Sequence, residues 1–211
     1  AGGRTFERIS PDQSRAFVSI LTPMHRETWL ADWKRDVWTL CGECNGNRGR
    51  AVWSPDGRRL LIGRNDTLVT HPIDGSAPDQ VLVHEADRYL VPAGWLTDGR
   101  ILYLSSPDQT SYEIKFLEPG STAGRVVVPL GMGFDAEVSP DGRWLAYSSG
   151  LVNVGQTNVV VQAFPGPGAR TQVSSGGGIN PAGSAEARTL YSLTTFGTSG
   201  LGGATVLAAD W

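Results

Sequence analysis

Short apolar stretches separated by turn-forming clusters run the length of this chain, and many of them are apolar on successive residues rather than alternating. Leu60-Leu61-Ile62, Ile101-Leu102-Tyr103-Leu104, Val126-Val127-Val128 and Val159-Val160-Val161 all read this way. Such runs are the pattern of strands buried on both faces. Between them recurs one turn. Ser-Pro-Asp-Gly stands at residues 54–57 and again at 139–142, with variants at Ser10-Pro11-Asp12-Gln13, Leu96-Thr97-Asp98-Gly99 and Ser184-Ala185-Glu186-Ala187. The acidic members Asp12, Asp56, Asp98, Asp141 and Glu186 lie 44, 42, 43 and 45 residues apart. A beat kept five times is an internal repeat.

Each copy reads as an apolar stretch into the turn, a strand out of it, a polar loop, a third strand, another turn and a fourth strand. In the second copy the strands are expected near 50–53, 59–62, 68–71 and 80–84; in the fourth, near 136–138, 144–148, 158–163 and 170–173. Proline presets the backbone angle of these turns and glycine accepts its positive values. The repeated acid is expected to bond neighbouring backbone N–H groups, a structural role, since one copy sits in every repeat. A four-stranded antiparallel unit of about 40–45 residues, covered on both faces by like units, is a β-propeller blade. A sandwich or barrel does not explain the fixed period. The expectation is an all-β fold, one propeller domain over residues 1–211, with blades near 5–47, 48–88, 89–132, 133–177 and 178–211.

The ends are irregular. The fifth copy stops after a third strand near 205–208, and only Ala1 to Arg4 precede the first blade's inner strand, Thr5 to Ile9. The ring is therefore expected to be incomplete, or closed by an irregular seam, by further blades or by a partner chain.

Composition agrees with strands and turns. Glycine (27) and proline (13) make about 19% of the chain against roughly 12% in average usage. A 40% hydrophobic content with seven Trp supplies a core and argues against disorder. The net charge of -3 predicts no general attraction to nucleic acid or anionic lipid. No run of about 18 apolar residues occurs, and Ala1-Gly2-Gly3-Arg4 lacks the order of a signal peptide. The chain is expected to be soluble as given, which leaves room for a leader or anchor outside it.

Trp53-Ser54-Pro55-Asp56-Gly57-Arg58-Arg59-Leu60 and Val138-Ser139-Pro140-Asp141-Gly142-Arg143-Trp144-Leu145 resemble the WD40-like (PD40) repeats of TolB-type propellers. The stretch Val161-Gln162-Ala163-Phe164-Pro165-Gly166-Pro167-Gly168, continuing through Gln172 to Gly178 and Pro181, resembles propellers fused to bacterial serine/threonine protein kinases and related sensor proteins. The resemblance covers the whole chain. It implies a periplasmic or extracellular binding or sensor module, or, as an alternative, the gating propeller of a prolyl oligopeptidase-type serine peptidase. Gln13 in place of glycine, and Gly183 with Glu186-Ala187 in the fifth copy, depart from the pattern.

Candidate chemistry is sparse. Cys41-Gly42-Glu43-Cys44 is the only cysteine pair. Asn45 stands where haem attachment needs His, and no βαβ context supports a thioredoxin-like role. Zinc lacks a second Cys or His pair, because His25, His71 and His84 are expected to be scattered over different blades. A local disulfide joining Cys41 to Cys44 is the preferred reading, reduced structural thiols the next; the disulfide favours a periplasmic or extracellular home, with a cytoplasmic one the alternative. No Gly-x-Ser-x-Gly elbow and no phosphate loop occurs. No catalytic residue, cofactor or metal is expected.

Recognition of a protein or peptide suits the fold better. In a propeller the loops between second and third strands share a face with the loops between blades. Here they hold His25, Arg26 and Glu27; Arg64, Asn65 and Asp66; Asp108 and Gln109; and Asn153 and Gln156. The inter-blade loops add Glu43, Asn45 and Arg48, then Glu85, Asp87, Arg88 and Tyr89. A solvated loop surface is the plain alternative. Trp29, Trp38, Trp53, Trp95 and Trp144 are expected to pack between blades.

Overall fold

The computed structural model describes residues 4–21, 26–44, 50–131, 134–151, 156–166, 168–174, 177–184, 189–196 and 200–209. Its regular structure is five antiparallel sheets, none closed on itself. The first holds β1 (Arg4–Ile9), β2 (Arg15–Leu21), β3 (Arg26–Asp32) and β4 (Val37–Leu40). The second holds β5 (Ala51–Trp53), β6 (Arg59–Arg64), β7 (Thr67–Pro72) and β8 (Gln80–His84). β9 (Tyr89–Trp95), β10 (Ile101–Ser106), β11 (Glu113–Leu117) and β12 (Arg125–Val128) make the third. β13 (Phe134–Val138), β14 (Trp144–Leu151), β15 (Gln156–Ala163) and β16 (Arg170–Gln172) make the fourth. The fifth has three strands, β17 (Ile179–Ser184), β18 (Thr189–Phe196) and β19 (Gly200–Ala209). Strands follow in chain order within every sheet. Among the described residues the only helical element is a single 3-10 turn at Gly42–Cys44, and no helix is long and apolar enough to cross a membrane. The fold is that of a β-propeller with five blades.

Burial falls from the second strand outward. Ala16, Phe17 and Val18 of β2, Leu60, Leu61 and Ile62 of β6, Leu102, Tyr103 and Leu104 of β10, and Leu145, Ala146 and Tyr147 of β14 are all buried. Successive residues point to opposite faces of a strand, so these strands are covered on both sides. The outer strands are not: β4 is exposed at all four positions and β16 at all three. That gradient corrects one expectation, because Val126 of β12 lies on an outer strand and is 45% exposed. It corrects another for the tryptophans. Trp53 is buried, whereas Trp38 on β4 and Trp144 at the mouth of β14 are 47% and 40% exposed.

Four of the repeated turns lie in described backbone, each between the first and second strand of its sheet; Glu186 lies outside the described residues. Asp56 accepts from the Ser54 hydroxyl (2.6 Å) and the Arg58 N–H (3.0 Å). Asp141 repeats this with Ser139 (2.6 Å) and Arg143 N–H (3.1 Å). Asp98 accepts from the Arg100 N–H at 3.0 Å, and Asp12 from the Ser14 N–H at 3.2 Å. The serine hydroxyl in turn accepts a backbone N–H five residues on, as in Ser54 with Arg59 (2.9 Å). Donors converging on the carboxylate favour its charged form. Hydrogen bonds from Ser139 and Arg143 hold Asp141 down at about 2, and those from Ser14 and Ser10 hold Asp12 well below the usual carboxylate range.

The chain divides into two compact units, Ala1–Ile101 with Leu117–Gly124, and Leu102–Phe116 with Arg125–Trp211. In the first, the Arg15 guanidinium at the start of β2 lies 5.3 Å from the Trp53 ring at the end of β5 and donates to Gly57 O (2.9 Å). Arg59 repeats the stacking on Trp95, at 5.1 Å. Trp53 Nε1 donates to Arg8 O (3.2 Å), and Arg8 reaches Ala93 O (3.0 Å). A Cβ on Gly63 of β6 would overlap the Leu90 carbonyl of β9. Only glycine permits that approach. In the second unit, Phe116 and Phe164 meet edge to face at 5.5 Å, and Gln162 Nε2 donates to Val127 O (3.3 Å). The Asn180 N–H bonds Ser148 Oγ (3.2 Å) and ties β17 to β14.

Two outcomes follow from this packing. Gly63→Ala should lose about 1–3 kcal/mol in urea unfolding, the cost of overfilling a packed site, while Gly42→Ala, with open space around its Cβ position, should stay within about 0.5 kcal/mol of the parent. The depressed turn carboxylates set the acid response. Their contribution is complete above the unfolded carboxylate value, about pH 4, and is lost as pH falls through the folded values, about 2 for Asp141. The melting temperature should therefore drop between pH 4 and 2. Asp141→Asn should melt lower at pH 7 with a shallower acid decline; an unchanged decline would refute the assignment.

Candidate functional site

Two groups of polar residues stand out, both in the first unit. The first is built on the sequence just after β4. The chain leaves β4, makes the 3-10 turn Gly42–Cys44, and continues toward β5. Cys41 and Cys44 are joined in the structure as a disulfide with Cα atoms 5.2 Å apart. The Cys41 N–H is held by Thr28 O (2.8 Å), and Cys44 N–H by Cys41 O (3.1 Å). Cys44 is fully buried against Phe17, Ala51, Trp53, Leu60, Ile62 and Val69.

His71 joins this pair from β7. Its ligand nitrogen and the two sulfurs all lie within 4.8 Å of one another. For His71 this corrects the expectation that the histidines are scattered over blades away from the cysteines; His84 meets Asp66 instead, and His25 lies outside the described residues. His71 is separated from Cys44 by 26 intervening residues, and the strand order of the second sheet is what returns it. Asp79, just before β8, takes His71 Nδ1 at 2.7 Å, and Arg64 Nη1 pairs with the other Asp79 oxygen at 2.6 Å. His71 and Asp79 are mostly covered, with side chains 13% and 20% exposed. Gly42, Arg64, His71, Gly75 and Asp79 line a cavity of about 540 Å³. Once the disulfide is reduced, two thiolates, an imidazole and a carboxylate that fixes the imidazole are a donor set for a soft cation.

The second group is the loop pair at the far ends of β6 and β8. Asn65 O accepts from Leu90 N (2.8 Å) and Asp66 O from Glu85 N (2.9 Å). The Arg88 N–H bonds Glu85 O (3.2 Å), and the Arg88 and Glu85 side chains pair at 4.0 Å. Asp66 Oδ2 meets His84 Nε2 at 3.0 Å. Asn65 and Asp87 have positive φ, 51° and 58°, tolerated by these short polar residues. The structure thus brings Arg64, Asp66, Glu85, Asp87, Arg88 and Tyr89 onto two adjoining loops, and it draws Arg64 into the Asp79 cluster as well.

The remaining expected residues are separate. Glu27 accepts from Trp29 Nε1 (3.1 Å) on β3. In the second unit Asp108 accepts from the Ser111 and Thr110 N–H groups (2.7 and 2.8 Å), which hold its carboxyl well below the usual range. Gln109 has φ 61° and its carbonyl accepts from Tyr112 Oη (2.9 Å). Arg26 and Gln156 are placed at the starts of β3 and β15, and Glu43 in the 3-10 turn, by backbone alone. His25, Asn45, Arg48 and Asn153 lie outside the described residues.

No protein-family model and no curated protein matches this chain. Solved structures do. TolB from Acinetobacter baumannii is similar at 15% identity with a TM-score of 0.76, over 99% of this chain and 52% of that one. A TolB-type protein from Agrobacterium tumefaciens is similar at 15% identity and 0.74, over 94% of this chain and 72% of that one. A prolyl endopeptidase is similar at 13% identity and 0.61, over 91% of this chain and 32% of that one. The chain spans about half the length of the Acinetobacter TolB. At these identities the likeness is one of fold, that of TolB-type β-propellers.

The loop geometry is open to test at Asn65. Asn65→Gly should leave stability within about 0.5 kcal/mol, whereas Asn65→Val should cost about 1–2 kcal/mol, because a branched side chain resists positive φ. Urea unfolding of the pair measures it; equal stability of the two variants would contradict the backbone described.

Proposed function

We propose that this chain is a non-catalytic recognition propeller that binds a protein or peptide through the paired loops around Asn65-Asp66 and Glu85 to Tyr89, as part of a larger bacterial signalling or envelope protein. The observation that carries this reading is that those loops are fixed before any ligand arrives. Backbone hydrogen bonds join them at two points, and groups of both charge signs are presented from a rigid base. Little ordering is left to oppose binding, which favours affinity for a complementary surface. The fold likeness to TolB proteins supports a binding module. The disulfide supports an extracytoplasmic location, since such bonds persist in oxidising compartments. One propeller domain with blades near 5–47, 48–88, 89–132, 133–177 and 178–211, its seam completed by further blades or a partner chain, fits the three-stranded last sheet.

A second reading is the gating propeller of a prolyl oligopeptidase-type serine peptidase, favoured by the fold match to a prolyl endopeptidase. The adjoining gene sequence separates the two: a kinase and membrane span upstream supports the first, a Gly-x-Ser-x-Gly hydrolase domain downstream the second.

Binding is tested by probing a random peptide array with the chain. Selective retention of related peptides is expected, weakened tenfold or more, about 1.4 kcal/mol, by Asp87→Lys or Tyr89→Ala and unchanged by the remote surface variant Thr122→Ala. Retention without selectivity, or indifferent to both loop variants, would count against the proposal.

A further inference from the structure

The structure assigns a second state to the Cys41–Cys44 disulfide: once reduced, Cys41, Cys44 and His71 form a binding site for a thiophilic divalent cation, zinc above all. The chemistry of the donor set selects the metal. Two thiolates and an imidazole suit zinc, while magnesium and calcium prefer oxygen ligands. Cys-x-x-Cys supplies half of a tetrahedral site from one turn of chain. The third ligand comes from β7, with its ligand atom within 4.8 Å of both sulfurs. Tetrahedral zinc with Zn–S near 2.3 Å and Zn–N near 2.0–2.1 Å places ligand atoms about 3.5–3.8 Å apart. Parting the sulfurs and small side-chain rotations reach that spacing.

Asp79 is the strongest sign that the histidine is built for this task. Imidazoles that bind metals give their other ring nitrogen to a carboxylate, which fixes the tautomer and the ring's orientation. Asp79 Oδ1 occupies Nδ1 at 2.7 Å, which leaves Nε2 as the nitrogen free of that contact to take a metal, and Arg64 anchors Asp79 in its turn at 2.6 Å. Two thiolates and a dication sum to zero charge, so the site adds no net charge beside the buried Cys44. The cavity lined by Gly42, His71 and Asp79 gives entry and room for a solvent oxygen as fourth ligand.

The two states exclude each other, because the same sulfur valences serve both. A dithiol reductant delivers two electrons and two protons to the S–S bond, leaving two thiols and itself becoming a disulfide. Zinc then displaces the two thiol protons to solvent. Reoxidation by a disulfide oxidant takes two electrons from the thiolates, remakes the S–S bond, leaves the oxidant as two thiols after uptake of two protons, and releases the ion.

The test uses cobalt(II) as a spectroscopic probe, then zinc in competition with a chromogenic chelator, on the full chain before and after reduction. The reduced chain should bind one equivalent, with the intense visible bands of tetrahedral cobalt and a thiolate charge-transfer band, and the oxidised chain none. Cys44→Ser should leave at most one thiolate's share of the charge-transfer intensity, His71→Ala should weaken binding at least tenfold, and Asp79→Asn about 10–100-fold. Zinc should also protect both cysteines from alkylation. A reduced chain that unfolds and is refolded by zinc supports the site equally. A reduced chain that binds no metal, stays unfolded with it, or binds as tightly after His71→Ala would overturn the proposal.

Discussion

Everything in this molecule follows from strands that are apolar on both faces. Leu60, Leu61 and Ile62 cannot all be covered by the sheet they belong to, since neighbours on a strand point in opposite directions. A further layer is required on each side, and a sheet of the same kind is the simplest one to supply it. The close approach of Gly63 to Leu90, and the two Arg-on-Trp contacts, are what that layering looks like at atomic scale. Outer strands escape the requirement, which is why β4 carries exposed Val37, Trp38 and Leu40. An exposed edge of that composition is a surface proteins usually cover.

Layering also explains which parts of the candidate sites could be read from the chain. The repeated turns were legible because their physics is local: Ser, Asp and the N–H two residues beyond form a closed set within six residues. Strand positions followed from them, so β6, β8 and β14 begin where the pattern places them. His71 was not legible as a partner of Cys41. The 26 residues that separate it from Cys44 carry the repeated turn but nothing that points back to a cysteine, and the two meet because β7 lies third in a sheet stacked beside the one that ends in β4. The Trp53 and Trp95 contacts left a trace that could have been found, an arginine opening the second strand of one repeat and a tryptophan closing the first strand of the next, at separations of 38 and 36 residues. Trp38 and Trp144 misled because a place on a strand says nothing of distance from the stacked face: Trp38 lies on an outer strand and Trp144 at the start of a second strand.

Energetic scale bears on why a crosslink sits where it does. Closing a four-residue loop by a disulfide removes about 2 kcal/mol of unfolded-chain entropy in the loop-closure model, near the low end for such bonds. That is a modest return for the only two cysteines in the chain, and the surrounding packing of Cys44 already fixes the turn. Stability alone is a weak reason for the pair. The proposed metal tie from Cys41 to His71 would span about thirty residues instead and would constrain the unfolded chain by about 4 kcal/mol on the same model. It also reaches across from the end of the first sheet to the third strand of the second.

The same geometry connects the two polar groups. Arg64 closes β6, and one residue further Asn65 begins the turn whose carbonyl holds Leu90. The side chain of Arg64 runs the other way, to Asp79 and through it to His71. On the two proposals above, a change of state at the sulfurs would reach the proposed recognition loop through one ion pair and one strand end. Coupling of this kind requires a physical element with two arrangements, and a sulfur pair that is either bonded or parted is such an element. The backbone bonds that join the loops do not involve the cluster; what the proposed change would alter is where Arg64, the cation at the edge of that surface, places its charge.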